Sequence, residues 1–139
     1  MFSKILHAND GSEHAFHALS LAVEIARQND SELHMVCVEE IDYIPQFIED
    51  VREEIGTAAR RFHKAVQRAR AMTEQSHLEL HTHVVAGHPV RDIVELAARL
   101  RADLLVIGAK GHSAIYERLI GSRADRIMQL AQCPVLVVK

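Results

Sequence analysis

The chain has 139 residues and a formal net charge of −3, with 48% hydrophobic and 25% charged residues. A single domain of this size buries about two-thirds of the surface its extended chain would expose, enough for a core without staples, and the composition excludes disordered, collagenous and coiled-coil classes. An aromatic fraction of 4%, no Trp and a slightly acidic balance supply neither a stacking platform nor a basic field, so nucleic acid is not an expected partner.

Ile5 to Ala8 is the first of five short apolar runs and reads as a strand. Ser12 to Asn29 follows with Ala15, Leu19, Ala22 and Ala26 on one helical face. Leu33 to Val38 is the second strand, and the polar stretch Glu39 to Gln46, with Pro45, reads as a loop. Next comes the longest periodic segment, in which Ile48, Val51, Ile55, Ala58, Phe62, Ala65, Ala69 and Met72 recur at steps of three and four. Its acids (Glu49, Asp50, Glu53, Glu54) precede its bases (Arg60, Arg61, Lys64, Arg68, Arg70), which suits a helix dipole and reads as a solvated face. His83 to Ala86 is the third strand. Pro89, where a missing N–H is harmless, starts a helix from about Val90 to Arg101. Leu104 to Ile107 is the fourth strand. A last helix, from about Arg123 to Gln132, is stopped by Pro134 before the fifth strand, Val135 to Val138. Val-, Ile- and Leu-rich runs alternating with helices predict an α/β fold. It is a three-layer αβα sandwich, Rossmann-like, with a parallel sheet in one domain spanning 1–139.

In such sheets ligands bind beyond the carboxyl ends of the strands, where the strand order reverses. The residues there are Asn9-Asp10-Gly11-Ser12, Glu39-Glu40, Gly87-His88-Pro89 and Gly108-Ala109-Lys110-Gly111-His112. Gly121-Ser122 stands directly before the fourth helix, where backbone N–H groups, a hydroxyl and the positive dipole end form an anion site. Between Gly108 and Arg123, the cations Lys110, Arg118 and Arg123 outnumber the one acid, Glu117. No G-x-x-x-x-G-K-[ST] loop is present, nor G-x-G-x-x-G after the first strand, which disfavours the usual P-loop and dinucleotide modes.

The spacing Gly108-x2-Gly111-x9-Gly121-Ser122 resembles the G-2x-G-9x-G-[ST] signature of the ATP-binding branch of the universal stress protein family. Asp10-Gly11-Ser12, Gly87-His88-Pro89, Ala102 to Gly108 and Cys133 to Val138 extend the resemblance over essentially the whole chain. It implies a five-stranded sheet in order 3-2-1-4-5 and an adenine nucleotide as ligand: ATP, or else ADP or AMP, with Mg²⁺. Carried over residue by residue, Asp10 would reach the adenine and ribose side beside the backbone of Ala8 and Asn9. Val38 would touch the adenine, and Ile107 and Gly108 would floor the ribose. Gly111 and His112 would border the phosphates, with Gly121, Ser122 and Arg123 donating to them. One position departs from the pattern: many nucleotide-binding members carry Ser or Thr two residues after Ser122, where this chain has Ala124. In that order the fifth strand is an apolar sheet edge, and the expected cover is a second copy, a homodimer through Val135 to Val138.

The sequence holds ten histidines. His14 and His17, or His81 and His83, have metal-compatible spacing, yet no cysteine or carboxylate completes an obvious set, and no metal site is expected. His7 reads as a packed core residue. Cys37 and Cys133 each lie in an apolar run and read as buried, reduced thiols. With no signal-like opening segment and no run of about 18 apolar residues, the expectation is a cytoplasmic protein without membrane insertion. No base aims at a terminal phosphate, so no catalytic residue is assigned. The expected function is a nucleotide-dependent regulatory module of the stress response. The alternatives are a dimeric interaction module without nucleotide and a slow ATPase.

Overall fold

The structure, a computed structural model, describes residues 1–41, 48–110 and 120–139. Its elements run β1 (Lys4–Ala8), α1 (Glu13–Asn29), β2 (Glu32–Glu40), α2 (Ile48–Gln75), β3 (Leu80–Gly87), α3 (Pro89–Leu100), β4 (Leu104–Gly108), α4 (Ser122–Leu130) and β5 (Val135–Val138). The strands form one sheet in the order β3-β2-β1-β4-β5, every pair parallel. Both the architecture and the order agree with expectation.

The continuous apolar runs follow from burial on both faces. Side chains alternate along a strand, so Ile5, Leu33, Met35 and Val106 pack under α1 and α2 with Phe16, Leu19 and Phe62. Their neighbours Leu6, Val36, Leu105 and Ile107 pack under α3 and α4 with Ile93, Leu96 and Ile127. Ser12 caps α1, its hydroxyl accepting from the Ala15 N–H at 3.2 Å. Asp92 Oδ2 accepts the His88 N–H at 2.8 Å over the first turn of α3. A Cβ added at Gly87 would lie 2.0 Å from that oxygen, so Gly87-His88-Pro89 is a helix-start device.

Two boundaries and the burial of one helix differ from the sequence reading. β3 begins at Leu80, because Leu80, His81 and Thr82 pair with Leu33, His34 and Met35 even though two of these three residues are polar. Glu39 and Glu40 pair with Ala86 and Gly87, so β2 extends into the stretch read as loop; residues 42–47 of that loop lie outside the described residues. The α2 stripe is only partly buried. Ala58, Phe62 and Ala69 are inside, but Val51 and Ile55 are 42% and 52% exposed. A helix of 28 residues is about 42 Å long, and its first turns overhang strands that span at most about 30 Å.

Candidate functional site

β1 pairs with β2 on one side and β4 on the other. The chain leaves β1 for α1 on one face and leaves β4 for α4 on the opposite face. A gap therefore opens at the carboxyl ends of these strands, and a cavity of about 320 Å³ lies there. Every expected site residue that the structure describes lines it: Ala8, Asn9 and Asp10 after β1, Val38 in β2, Ile107 and Gly108 in β4, and Gly121, Ser122 and Arg123 at the start of α4. Gly111 and His112, like Glu117 and Arg118, lie outside the described residues. Glu40 and Pro89, expected only at the strands' carboxyl ends and given no ligand contact, line it too, as do Arg61 and Phe62 of α2 and Ile93 of α3, which the sequence reading did not place here. Phe62 was legible only as part of the core stripe, and Arg61 only as one base in a run of five.

A buried relay shapes the β1 end. The His7 side chain is fully enclosed, and its Nδ1–H donates to the Val106 carbonyl at 3.0 Å. Its Nε2 accepts from the Asn9 amide at 3.2 Å, and Asn9 Oδ1 accepts the Gly11 N–H at 2.7 Å. The Asn9 N–H donates across to Val36 at 2.9 Å. Gly11 takes a φ of 86°, which L side chains rarely adopt, and the Ser12 N–H then bonds Asp10 Oδ1 at 3.0 Å. The histidine read as core filling thus orients the loop that carries Asp10. Burial pushes its pKa down to about 4, so the ring is neutral at neutral pH.

The opposite wall is backbone. The Gly121 N–H donates to the Ala109 carbonyl at 2.7 Å, and the Ala109 N–H donates to Val138 at 2.8 Å. A Cβ at Gly108 would stand 3.3 Å from the His14 and Lys110 carbonyl oxygens, and one at Gly121 would stand 3.3 Å from the Ala109 oxygen. These glycines let two turns close on β4. Gly108 is the last residue of β4 and not a loop residue, so its replacement strains the sheet as well as the cavity. α4 has no side-chain cap over its first turn, where the N–H groups of Ser122, Arg123 and Ala124 have no partner within the helix.

Charge is arranged in pairs around the mouth. Arg61 binds Glu39 Oε2 at 2.5 Å, and Arg123 pairs with Glu40, so the acidic end of β2 holds one cation from α2 and one from α4. Exposed pairs of this kind contribute only about 0–1 kcal/mol. An incoming anion can take Arg123 from the half-exposed Glu40 at small cost. Cys37 of β2 is buried as expected on the α1 and α2 face, and burial pushes its thiol up to about 12, whereas Cys133, also expected to be buried, is only partly so.

The profile of the universal stress protein family matches residues 1–139. The chain belongs to that family. A universal stress protein of Methanocaldococcus jannaschii is 32% identical over 149 residues, covering 100% of this chain and 83% of its own. Universal stress protein UspA from Lactobacillus plantarum has the same fold, with a TM-score of 0.82, 27% identity and coverage of 99% and 97% of the two chains. A universal stress protein solved in complex with cAMP matches with a TM-score of 0.78 at 23% identity, covering 99% of this chain and 97% of its own. Among the described residues of this family member, no helix is long and apolar enough to cross a membrane.

The relay makes a prediction about stability. The unfolded His7 would take up a proton near its ordinary value of 6.5, whereas the folded ring does so only near 4. Its contribution is therefore complete above about pH 6.5 and is lost as pH falls toward 4, amounting to roughly 3 kcal/mol. Denaturant unfolding of wild type and His7→Leu between pH 7.5 and 4 should show a steeper fall in wild type. Parallel pH profiles would refute the buried neutral ring.

Proposed function

We propose that the cavity binds an adenine nucleotide, ATP with Mg²⁺, and that the protein works as a nucleotide-dependent regulatory module rather than an enzyme. One observation carries the reading: residues from four separate segments, singled out for nucleotide contact, converge on a single cavity at the sheet's switch point. Its two ends suit the two ends of the ligand. Val38, Phe62 and Ile93 offer an apolar seat for a base. The uncapped start of α4, with Ser122, Arg123 and nearby Lys110, offers N–H groups and positive charge to phosphates. Mg²⁺ would be held chiefly by the phosphates and would offset their charge. The neighbour solved with cAMP supports an adenine ligand.

The chemistry of the lining favours binding over turnover. Among the described residues its carboxylates are Asp10, placed by the β1 loop, and Glu40, paired with Arg123. Neither stands as a base toward a terminal phosphate, which phosphoryl transfer to water requires. Ala124, which lines the cavity where many nucleotide-binding relatives of the family offer a hydroxyl, removes one donor and leaves Arg123 the larger share.

The binding test uses Ser122→Asp. An acid at the first position of α4 favours the helix dipole, so the fold should hold. The same acid repels a phosphate, and ATP affinity measured by calorimetry should fall at least tenfold, with adenosine affected less. Unchanged ATP affinity would overturn the assignment of the phosphate end.

The assembly reading is a homodimer through β5. Among the described residues this strand pairs on one side only, with β4, and its Val135, Leu136 and Val137 remain half-buried rather than buried. An apolar edge of that kind invites pairing with a second copy of itself about a two-fold axis. Sedimentation of the wild type should give a dimer at micromolar concentration, and Val137→Lys should give monomers. A monomeric wild type indistinguishable from Val137→Lys would remove the dimer.

A further inference from the structure

At the other end of the sheet, beside the amino ends of β2 and β3, a group of ionisable side chains gathers on the face that α3 covers. Strand alternation puts Glu32 and His34 of β2 on this face with His81 and His83 of β3, where His34 and His81 are register partners. His34 is buried, and its Nε2 lies 2.9 Å from Glu32 Oε1. His81 Nε2 lies 3.7 Å from the same oxygen. The rings of His34 and His81 stack with centroids 4.6 Å apart. On its other side, His34 Nδ1 is 2.9 Å from His83 Nε2.

We propose that Glu32, His34 and His81 form a binding site for a divalent transition-metal ion of the zinc class, with His83 as the residue that orients His34. Imidazole nitrogens with one carboxylate are borderline ligands of the kind Zn²⁺ takes. Around a tetrahedral ion with bonds of about 2.0–2.2 Å, ligand atoms stand roughly 3.3 Å from one another. The separations of 2.9 and 3.7 Å straddle that value, and the three candidate ligand atoms all lie within 4.8 Å of one another. A cation can enter once the stacked rings of His34 and His81 turn to aim both Nε2 atoms at one point beside Glu32 Oε1.

The surroundings support the assignment. A metal-bound histidine characteristically hands its second nitrogen to an acceptor that fixes the ring. Here His83 Nε2 takes that place, accepting the Nδ1–H of a His34 whose Nε2 binds the ion. Lys4 Nζ lies 3.7 Å from Glu32 Oε2, which leaves Oε1 for the metal. Three protein ligands leave one position for water, as in open zinc sites. Along β2 the cavity reaches only as far as Val36, two residues or about 7 Å from His34, and none of Glu32, His34 and His81 lines it, so the two sites share no residue.

The test uses the untagged full chain, stripped with chelator and titrated with Co²⁺ as the spectroscopic probe and then with Zn²⁺. The expected result is one Co²⁺ per chain with visible bands of a four-coordinate ion, displaced by Zn²⁺. Glu32→Gln alters an exposed side chain and His81→Ala a half-buried one, and both variants should fold normally by circular dichroism. Each should weaken Co²⁺ binding at least tenfold, while His14→Ala/His17→Ala should leave it unchanged. Absence of the bands, affinity unaltered in both ligand variants, or loss of binding in His14→Ala/His17→Ala would overturn the proposal.

Discussion

β1 hydrogen-bonds in parallel to β2 and to β4, and the crossovers on its two sides lie on opposite faces of the sheet. No helix can then cover the carboxyl ends of both β1 and β4, and the space left over becomes the cavity. Much else in the molecule supports this one arrangement. His7, in the middle of β1, bonds a β4 carbonyl with one nitrogen and the Asn9 amide with the other. The junction between the two strands and the conformation of the loop above it are thus set by a single ring. On the far wall, the bonds from Gly121 to Ala109 and from Ala109 to Val138 tie the start of α4 to the ends of β4 and β5.

The electrostatics of the mouth follow the same plan. A chain with a net charge of −3 would need local positive potential to hold an anion. The amino end of α4 and arginines from α2 and α4, each held by a glutamate at the end of β2, supply it at the mouth. The Arg123–Glu40 pair, exposed on both sides, is weak enough to exchange for a phosphate, while Arg61 is held by the more buried Glu39. The amino ends of β2 and β3 differ in kind. There the imidazoles face a carboxylate and one another, a chemistry that suits a cation.

Much of the fold could be read from the sequence because burial on both sides of a parallel strand leaves an unmistakable apolar run, as at Leu104 to Ile107. The start of β3 could not, since His81 and Thr82 are polar and lie at a sheet edge that is only partly covered. The site followed the same division. Glycine spacing and the residues after strands are local signals, and they led to Gly108, Gly121, Ser122 and the loop at Asp10. Arg61 and Phe62 reach the cavity only through the packing of α2 on the sheet, which no local pattern encodes. Gly87 carried a clear motif but a different role, since its missing Cβ makes room for Asp92. The pairing of His34 with His81 depends on the register between β2 and β3, so the sequence showed the spacing of His81 and His83 but not their partners.

The central claim is that four distant segments form one nucleotide site, and hydrogen exchange with and without ATP and Mg²⁺ tests it most directly. The account predicts that nucleotide slows amide exchange together at Asn9 to Ser12, at Ala109 and Lys110, and at Ser122 to Ala124, while His34 and His81 at the opposite end of the sheet are unaffected. Slowing confined to other segments, or none at saturating ATP, would contradict it.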